Sequence, residues 1–224
     1  MNILKEYAIE ENQVVAIVWD NGANIKNAVT EHLRRPHHPC VAHTLNLITK
    51  EALNENDCLK QLISKCKTLI SYFKHSGLAT NKLKKSQEDI GDAPLKIKQA
   101  VDTRWNSILL MLERLLEVKN ALSVAITNLP TAPEFIEASE WSIISDCVPI
   151  LKLELELMTT GEKYLTMSSV IPLVRGLQFT LKNMNPETEV GVWLRSKLLD
   201  TVSRRLGVLE SNKIVAKSTF LDPR

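Results

Sequence analysis

The sequence predicts a mainly α-helical chain that opens on a short α/β remnant. Three observations carry that prediction. Residues 14–19 (V-V-A-I-V-W) are apolar and rich in β-branched side chains, and the run stops at Asp20-Asn21-Gly22, as a buried strand does. From Asp57 onward, apolar residues recur every three to four positions through several long stretches, the period of an amphipathic helix. Glycine is scarce, 7 residues in 224, and leucine is abundant, which favours helices.

In chain order, residues 3–9 read as the end of a helix feeding the strand. Asp20 closes the strand with a carboxylate, where the carboxyl end of a strand meets the next helix and polar chemistry gathers in open α/β sheets. Two roles fit it: ligand to a divalent metal, or part of an ordinary turn or helix cap. Residues 23–33 make a short amphipathic helix with Ile25, Ala28, Val29 and Leu33 toward one side. Arg34, Arg35, Pro36, His37, His38 and Pro39 come next as a basic, proline-bounded loop, Pro36 ending the helix before it. A helix opens near Pro39 and puts Cys40 and His43, three residues apart, on one face directed back toward the Asp20 strand. Cys40 and His43 with His37 or His38 would begin a zinc site, although no CxxC or HxxxH completes a set of four. The competing reading is a packed, hydrogen-bonded pair that shapes the site, or a histidine that touches phosphate or metal-bound water.

Residues 57–73 form a strong helix whose apolar stripe is Leu59, Leu62, Ile63, Cys66, Leu69, Ile70 and Phe73. Residues 74–99 are polar and lysine-rich and break at Gly91-Asp92-Ala93-Pro94; they read as a solvated linker rather than a phosphate-steering surface. Residues 101–105 make a short strand, with Asn106 or Ser107 capping the next helix. Arg104 beside Trp105 is either a phosphate clamp with a base-stacking ring, or a buried tryptophan with an arginine on its rim. Residues 108–122, 140–158 (bent at Pro149), 168–184 (Pro172 near its start) and 187–209 are four long amphipathic helices, expected as an antiparallel bundle with Trp141 and Trp193 as packing residues. Residues 216–224 read as a tail. The change of character places a boundary between residues 1–107 and 108–224.

The bulk numbers narrow little further. A net charge of +2 neither demands nor excludes nucleic acid, which would need a local patch. No apolar run reaches membrane-spanning length, and residues 1–6 lack a secretory signal pattern. Cys40, Cys58, Cys66 and Cys147 contain no CxxC pair and read as reduced thiols, mostly packed.

Five patches stand together in order along the chain. They are Asp20-Asn21-Gly22-Ala23-Asn24; Cys40-Val41-Ala42-His43-Thr44-Leu45-Asn46-Leu47; Thr103-Arg104-Trp105-Asn106-Ser107 with Met111-Leu112-Glu113-Arg114-Leu115; Leu165-Thr166-Met167-Ser168 with Ile171-Pro172-Leu173; and Phe220-Leu221-Asp222-Pro223-Arg224. In this the chain resembles the hAT transposase superfamily (hobo, Activator, Tam3), and within it the domesticated zinc finger BED domain-containing proteins. The resemblance implies a partial ribonuclease-H-like α/β core over 1–107, followed by an all-α helical insertion over 108–224. It also implies two divalent ions, magnesium in active members, held by three carboxylates that cut DNA by in-line attack on phosphate. Asp20 matches the second carboxylate, as catalytic and metal-binding residue. Cys40 and His43 match a Cys-x-x-His pair beside the active site, and Arg104 and Trp105 match an Arg-Trp pair at the reactive strand end; these four are the expected DNA-binding residues.

The family's first aspartate, its glutamate, its BED finger and its dimerisation segment are expected outside residues 1–224, and Gly22 stands where alanine is usual. One carboxylate cannot hold two metals, since even a single magnesium usually takes one or two carboxylates plus phosphate and water. The expectation is therefore a truncated, catalytically inactive hAT-transposase-derived nuclear protein, DNA-associated or regulatory, with no bound cofactor. Its implied partners are DNA and, through the bundle, another protein or a second copy, with no membrane. The alternatives are a fragment of an active transposase that cleaves and transfers DNA strands with metal, and a helical protein-interaction module.

Overall fold

The computed structural model describes residues 3–20, 22, 25, 29, 31, 36–101, 106–127, 129, 131–159 and 166–223, without the side chains of residues 3 and 154–159. Among them are ten α-helices and one two-stranded parallel sheet, the mainly α architecture with an α/β remnant expected from the sequence. The short helix α1 (Ile3–Glu6) and a 3-10 turn at Glu11–Gln13 lead into strand β1 (Ile17–Trp19).

Strand β2 (His37–Pro39) pairs with β1 in parallel, with Ile17, Val18 and Trp19 opposite His37, His38 and Pro39. This corrects the expected proline-bounded loop. The residue before a proline is pushed toward extended backbone, so His38 is preset for a strand by Pro39. Proline lacks an N–H but is tolerated on an edge, and both strands here are edges. β1 is shorter than the 14–19 run because its partner offers only three residues. The 23–33 helix of the sequence reading lies mostly outside the described residues, although Val29 is buried.

Helix α2 (Val41–Glu55) starts straight off β2, with Cys40 at its N-cap and Thr44, Leu45, Ile48, Ala52 and Leu53 buried. Helix α3 (Asp57–His75) is capped by Asn56, whose side chain accepts the Leu59 N–H at 3.0 Å. All seven residues of its forecast stripe are buried. Asp57 at its start and Lys74 and His75 at its end suit the helix dipole.

Half of the lysine-rich stretch after it, residues 77–89, is a helix rather than a linker. α4 (Gly77–Asp89) is capped by Ser76 and buries Ala79, Leu83, Ser86 and Gln87, while Lys84 and Lys85 face solvent. It stops at Gly91, whose φ of +84° is easy only for glycine. Gln87 then ties down the returning chain: its Oε1 accepts the Leu95 N–H at 2.8 Å and its amide donates to the Leu95 carbonyl at 3.3 Å.

The forecast helix over 108–122 is two, α5 (Ser107–Glu117) and α6 (Lys119–Thr127). They meet at a tight turn where the buried Val118 donates its N–H to the Arg114 carbonyl at 3.2 Å. α7 (Ala138–Thr159) carries Pro149 inside it. α8 (Val170–Asn183) holds Pro172 in its first turn, where the missing N–H costs nothing. α9 (Glu189–Leu206) is capped by Thr188. The expected tail contains one more helix, α10 (Lys213–Phe220). Asn212 caps it, Val215 enters the core, and Thr219 Oγ1 donates to the Ser168 carbonyl at 2.9 Å.

One apolar core runs from Leu45 to Val215 and includes Phe73, Met111, Trp141, Cys147 and Leu198, with Trp193 packed against its edge. α9 packs on α2, α7 and α8, while α4 packs on α6 and α5 on α7.

Candidate functional site

The register of the sheet sets the site. Trp19 lies opposite Pro39, so Asp20 and Cys40 are the next residues on adjacent parallel strands. The Cys40 N–H donates to the Trp19 carbonyl at 2.8 Å, which locks the start of α2 onto the end of β1. His43 lies in the first turn of α2, and Cys40 and His43 are both half-buried. The forecast that this pair would sit by the end of the Asp20 strand therefore holds at Cys40. Thr44 Oγ1 donates to the Cys40 carbonyl at 2.9 Å and steadies the same turn.

Asp20 itself is exposed, and its Oδ1 accepts the Gly22 N–H at 3.2 Å. This is the geometry of an Asx turn, in which a carboxylate shapes the chain just beyond it. A Cβ at residue 22 would come within 3.3 Å of that oxygen, so glycine there leaves the turn room.

Beneath the site, Trp19 is buried and its ring meets His37 with centroids 4.3 Å apart. The Trp19 indole N–H and the Asn46 side-chain oxygen are both buried with no hydrogen-bond partner among the described residues. Burial pushes the pKa of His38 down, and the neighbouring His37 pushes it further the same way, so His38 is held neutral at pH 7. The sequence reading missed the Trp19–His37 pair and the burial of His38, because neither is visible until the strand register is known.

The described residues contain no group of three His, Cys, Asp or Glu side chains able to hold a metal. Among the described residues, those at the strand ends next to Asp20 are Gly22 and Cys40, which add no second carboxylate of the kind a magnesium site uses. Arg104 and Trp105 lie outside the described residues, as does Asp102. The base of their segment is described. The Val101 N–H donates to Ser107 Oγ at 2.9 Å, and Ser107 Oγ donates to the Val101 carbonyl at 2.8 Å. Ser107 thus staples the two ends of residues 102–106 together instead of capping α5.

A mainly helical chain built on a fragment of parallel sheet, with an acid and a Cys-x-x-His pair at the strand ends, is consistent with an RNase-like helical domain. Residues 38–148 match the family described as the ZBED1 RNase-like helical domain. Over 187 residues the chain is 29% identical to zinc finger BED domain-containing protein 4 of Homo sapiens, covering 83% of this chain and 16% of that protein. Over 208 residues it is 29% identical to a Zea mays protein named "Putative AC transposase", covering 84% of this chain and 23% of that one. The chain is thus similar to hAT-transposase-related and zinc finger BED domain-containing proteins, the resemblance its motif series indicated. It spans less than a quarter of the length of either relative.

Proposed function

We propose that this chain is a nuclear, DNA-associated module derived from an hAT transposase, with no DNA-cutting activity of its own. The observation that carries the proposal is Asp20, a lone matched carboxylate that is exposed and engaged in a local turn. One such group cannot fix two hard cations at the spacing that in-line phosphoryl chemistry requires. In this reading Arg104, Trp105, Cys40 and His43 contact DNA. The guanidinium takes phosphate, the indole stacks an unpaired base, and Cys40 and His43 shape the strand ends between them. Fusion to a fluorescent protein should place the chain in the nucleus.

The test uses the 224-residue chain with DNA hairpins and nicked duplex in magnesium or manganese. The expected outcome is DNA binding without cleavage, and binding weakened about tenfold by the double change Arg104→Ala and Trp105→Ala, since base–aromatic stacking is worth about 1–3 kcal/mol per base. Cleavage that disappears in Asp20→Asn would refute the inactive reading. A second reading is favoured by the small share of each relative that the chain spans. In a longer product, other segments would supply the remaining carboxylates, and Asp20 would serve an active strand-transfer enzyme. The same assay repeated with the flanking reading frame included separates the two.

A further inference from the structure

A cavity of about 630 Å³ lies where the end of α3, the body of α4 and the returning chain at residues 94–97 meet. Small-molecule sites typically occupy about 300–1,000 Å³. Among the described residues its apolar lining comes from three directions: Phe73 from α3, Leu83 from α4, and Leu95 and Ile97 from the returning chain. Phe73 and Leu83 are buried core residues, whereas Leu95 is exposed, so the cavity leads from the core to solvent.

Its walls are fixed in advance. Thr80 Oγ1 donates to the Phe73 carbonyl at 2.6 Å and pins α4 against the end of α3. The buried Gln87 uses both halves of its amide on the Leu95 backbone, which sets the position of the returning chain. Arg114 of α5 donates to the Lys96 carbonyl on the same segment. A pocket held this way loses little freedom when a ligand enters. The same bonds engage the polar groups of Thr80 and Gln87, so the wall offers a ligand chiefly carbon.

Three lysines line the cavity, one from each wall: Lys74 on α3, Lys84 on α4 and Lys96 on the returning chain, all exposed. Lysine stems extend an apolar lining while their ammonium heads stay in water. Lys74 donates to the neutral side chain of Gln99 at 3.0 Å. Lys84 stands 3.8 Å from Glu88, with both side chains more than half exposed. Surface contacts of this kind are weak and exchange readily for a ligand's acid group. All three lysines fall in the stretch that reads as solvated in the sequence; the fold sets them around one mouth.

We propose that this cavity binds a small amphipathic organic anion. Its apolar body lies against Phe73, Leu83, Leu95 and Ile97, and its carboxylate or similar acid group sits among Lys74, Lys84 and Lys96. A neutral hydrocarbon would leave the three charges unanswered, and a bare phosphate would leave the apolar lining wet. The site is built on α3, α4 and the returning chain rather than on β1 and β2, and it needs none of the DNA contacts proposed above.

The test is a titration of the whole isotope-labelled chain at low salt, followed through its backbone amide NMR signals. The probes are decanoate, decanol and decyltrimethylammonium, which share an apolar chain and differ in charge. Decanoate should shift the amides of Leu83, Gln87, Leu95 and Ile97 and bind at least about fivefold tighter than decanol, with decyltrimethylammonium weakest. Octanoate should bind more weakly than decanoate by about fourfold for each methylene lost, the transfer value of a buried methylene. The triple change Lys74→Gln, Lys84→Gln, Lys96→Gln should lower decanoate to the affinity of decanol and leave decanol unchanged. Lys182→Gln, Lys213→Gln, Lys217→Gln removes the same charge from exposed positions elsewhere and should alter neither. Leu95→Trp fills the cavity and should abolish both; the Gln87 clamp holds the Leu95 backbone and survives the change of side chain. Should Leu95→Trp melt early, the lysine variant, with all its changes at exposed positions, carries the test alone. No shift at those four amides with decanoate overturns the site, as does decyltrimethylammonium binding equally well or full decanoate affinity in the Lys74, Lys84 and Lys96 variant. A peptide Glu-Glu-Phe-Leu-Glu-Glu that binds there more tightly than decanoate overturns the small-molecule assignment in favour of an acidic protein segment.

Discussion

Among single residues, the cysteines show how far burial can override intrinsic chemistry. Cys66 and Cys147 are fully buried in the core. Burial pushes each thiol up to about 12, with the charge of Glu140 adding to the effect at Cys66 and that of Asp146 at Cys147. Since the thiolate is the reactive species, both are inert at neutral pH and are packing groups rather than metal ligands. Cys58, in the first turn of α3, is exposed. Brief treatment of the native protein with iodoacetamide near pH 8 should therefore modify Cys58 well before Cys66 or Cys147, which should react only after denaturation. Peptide mass spectrometry reads the result directly, and early modification of Cys66 in the folded chain would contradict the assigned core. Packing for Cys66 was already readable from its place on the 57–73 stripe.

At the scale of elements, the junction of α7 and α9 is set by one carboxylate and one missing methyl group. Asp146 accepts the Glu187 N–H at 3.2 Å, the Thr188 N–H at 2.7 Å and the Thr188 hydroxyl at 2.6 Å. Thr188 in turn caps α9 by accepting the Gly191 N–H at 3.0 Å. A Cβ on Gly191 would fall 2.6 Å from Asp146 Oδ2 and 2.8 Å from Pro186 Cβ. Asp146 cannot retreat without breaking those bonds. Gly191→Ala should therefore destabilise the chain by about 1–2 kcal/mol, because overpacking of about 1–3 kcal/mol exceeds the helix-propensity gain of about 0.5–1 kcal/mol. Gly176→Ala in α8, with open space around its Cβ, should show that gain alone and raise the melting temperature. Thermal melts decide the matter: shifts of one sign at both positions would remove the close approach as the cause. Gly191 shows no signal in the sequence, because the clash comes from α7, 45 positions away. The elements that were legible, α3 above all, declare themselves through apolar periodicity. Those that were not are β2, α4 and α10, where flanking prolines, abundant lysine or short length hide the pattern and tertiary packing decides. The site divides the same way. Asp20 was legible as a strand-end residue because the strand run stops at the acid, and Cys40 as a helix-start residue directed toward that end, whereas their alignment depends on a β2 that periodicity does not show.

At the scale of the whole molecule, the parts before and after residue 107 are joined by two main contacts, α2 on α9 and α4 on α6. Besides shared core, the α2–α9 contact carries a charge network. Glu51 on α2 accepts from Arg204 at 2.6 Å and from Arg205 at 2.5 Å, and Lys197 pairs with Glu55 while standing 3.9 Å from Glu51. The Arg205 hydrogen bond, assisted by Arg204, holds the Glu51 carboxyl below its ordinary value, outweighing a smaller upward push from burial. A carboxyl group depressed in the folded state binds its proton more readily once unfolded. Its contribution to stability is complete above the unfolded pKa and fades as pH falls from about 4.5 toward the depressed folded value. Glu51→Gln should lower stability at pH 7 by about 1–2 kcal/mol, a modest figure because the side chain is a quarter exposed and water screens it. The difference between wild type and variant should shrink steadily below pH 4.5, as the wild-type carboxyl protonates and the two side chains become alike. Urea titrations of both proteins at several pH values measure this. A stability gap that stays constant down to pH 3 would mean that the α2–α9 contact is held by shape and burial, with the ion network contributing nothing to the joining of the two parts.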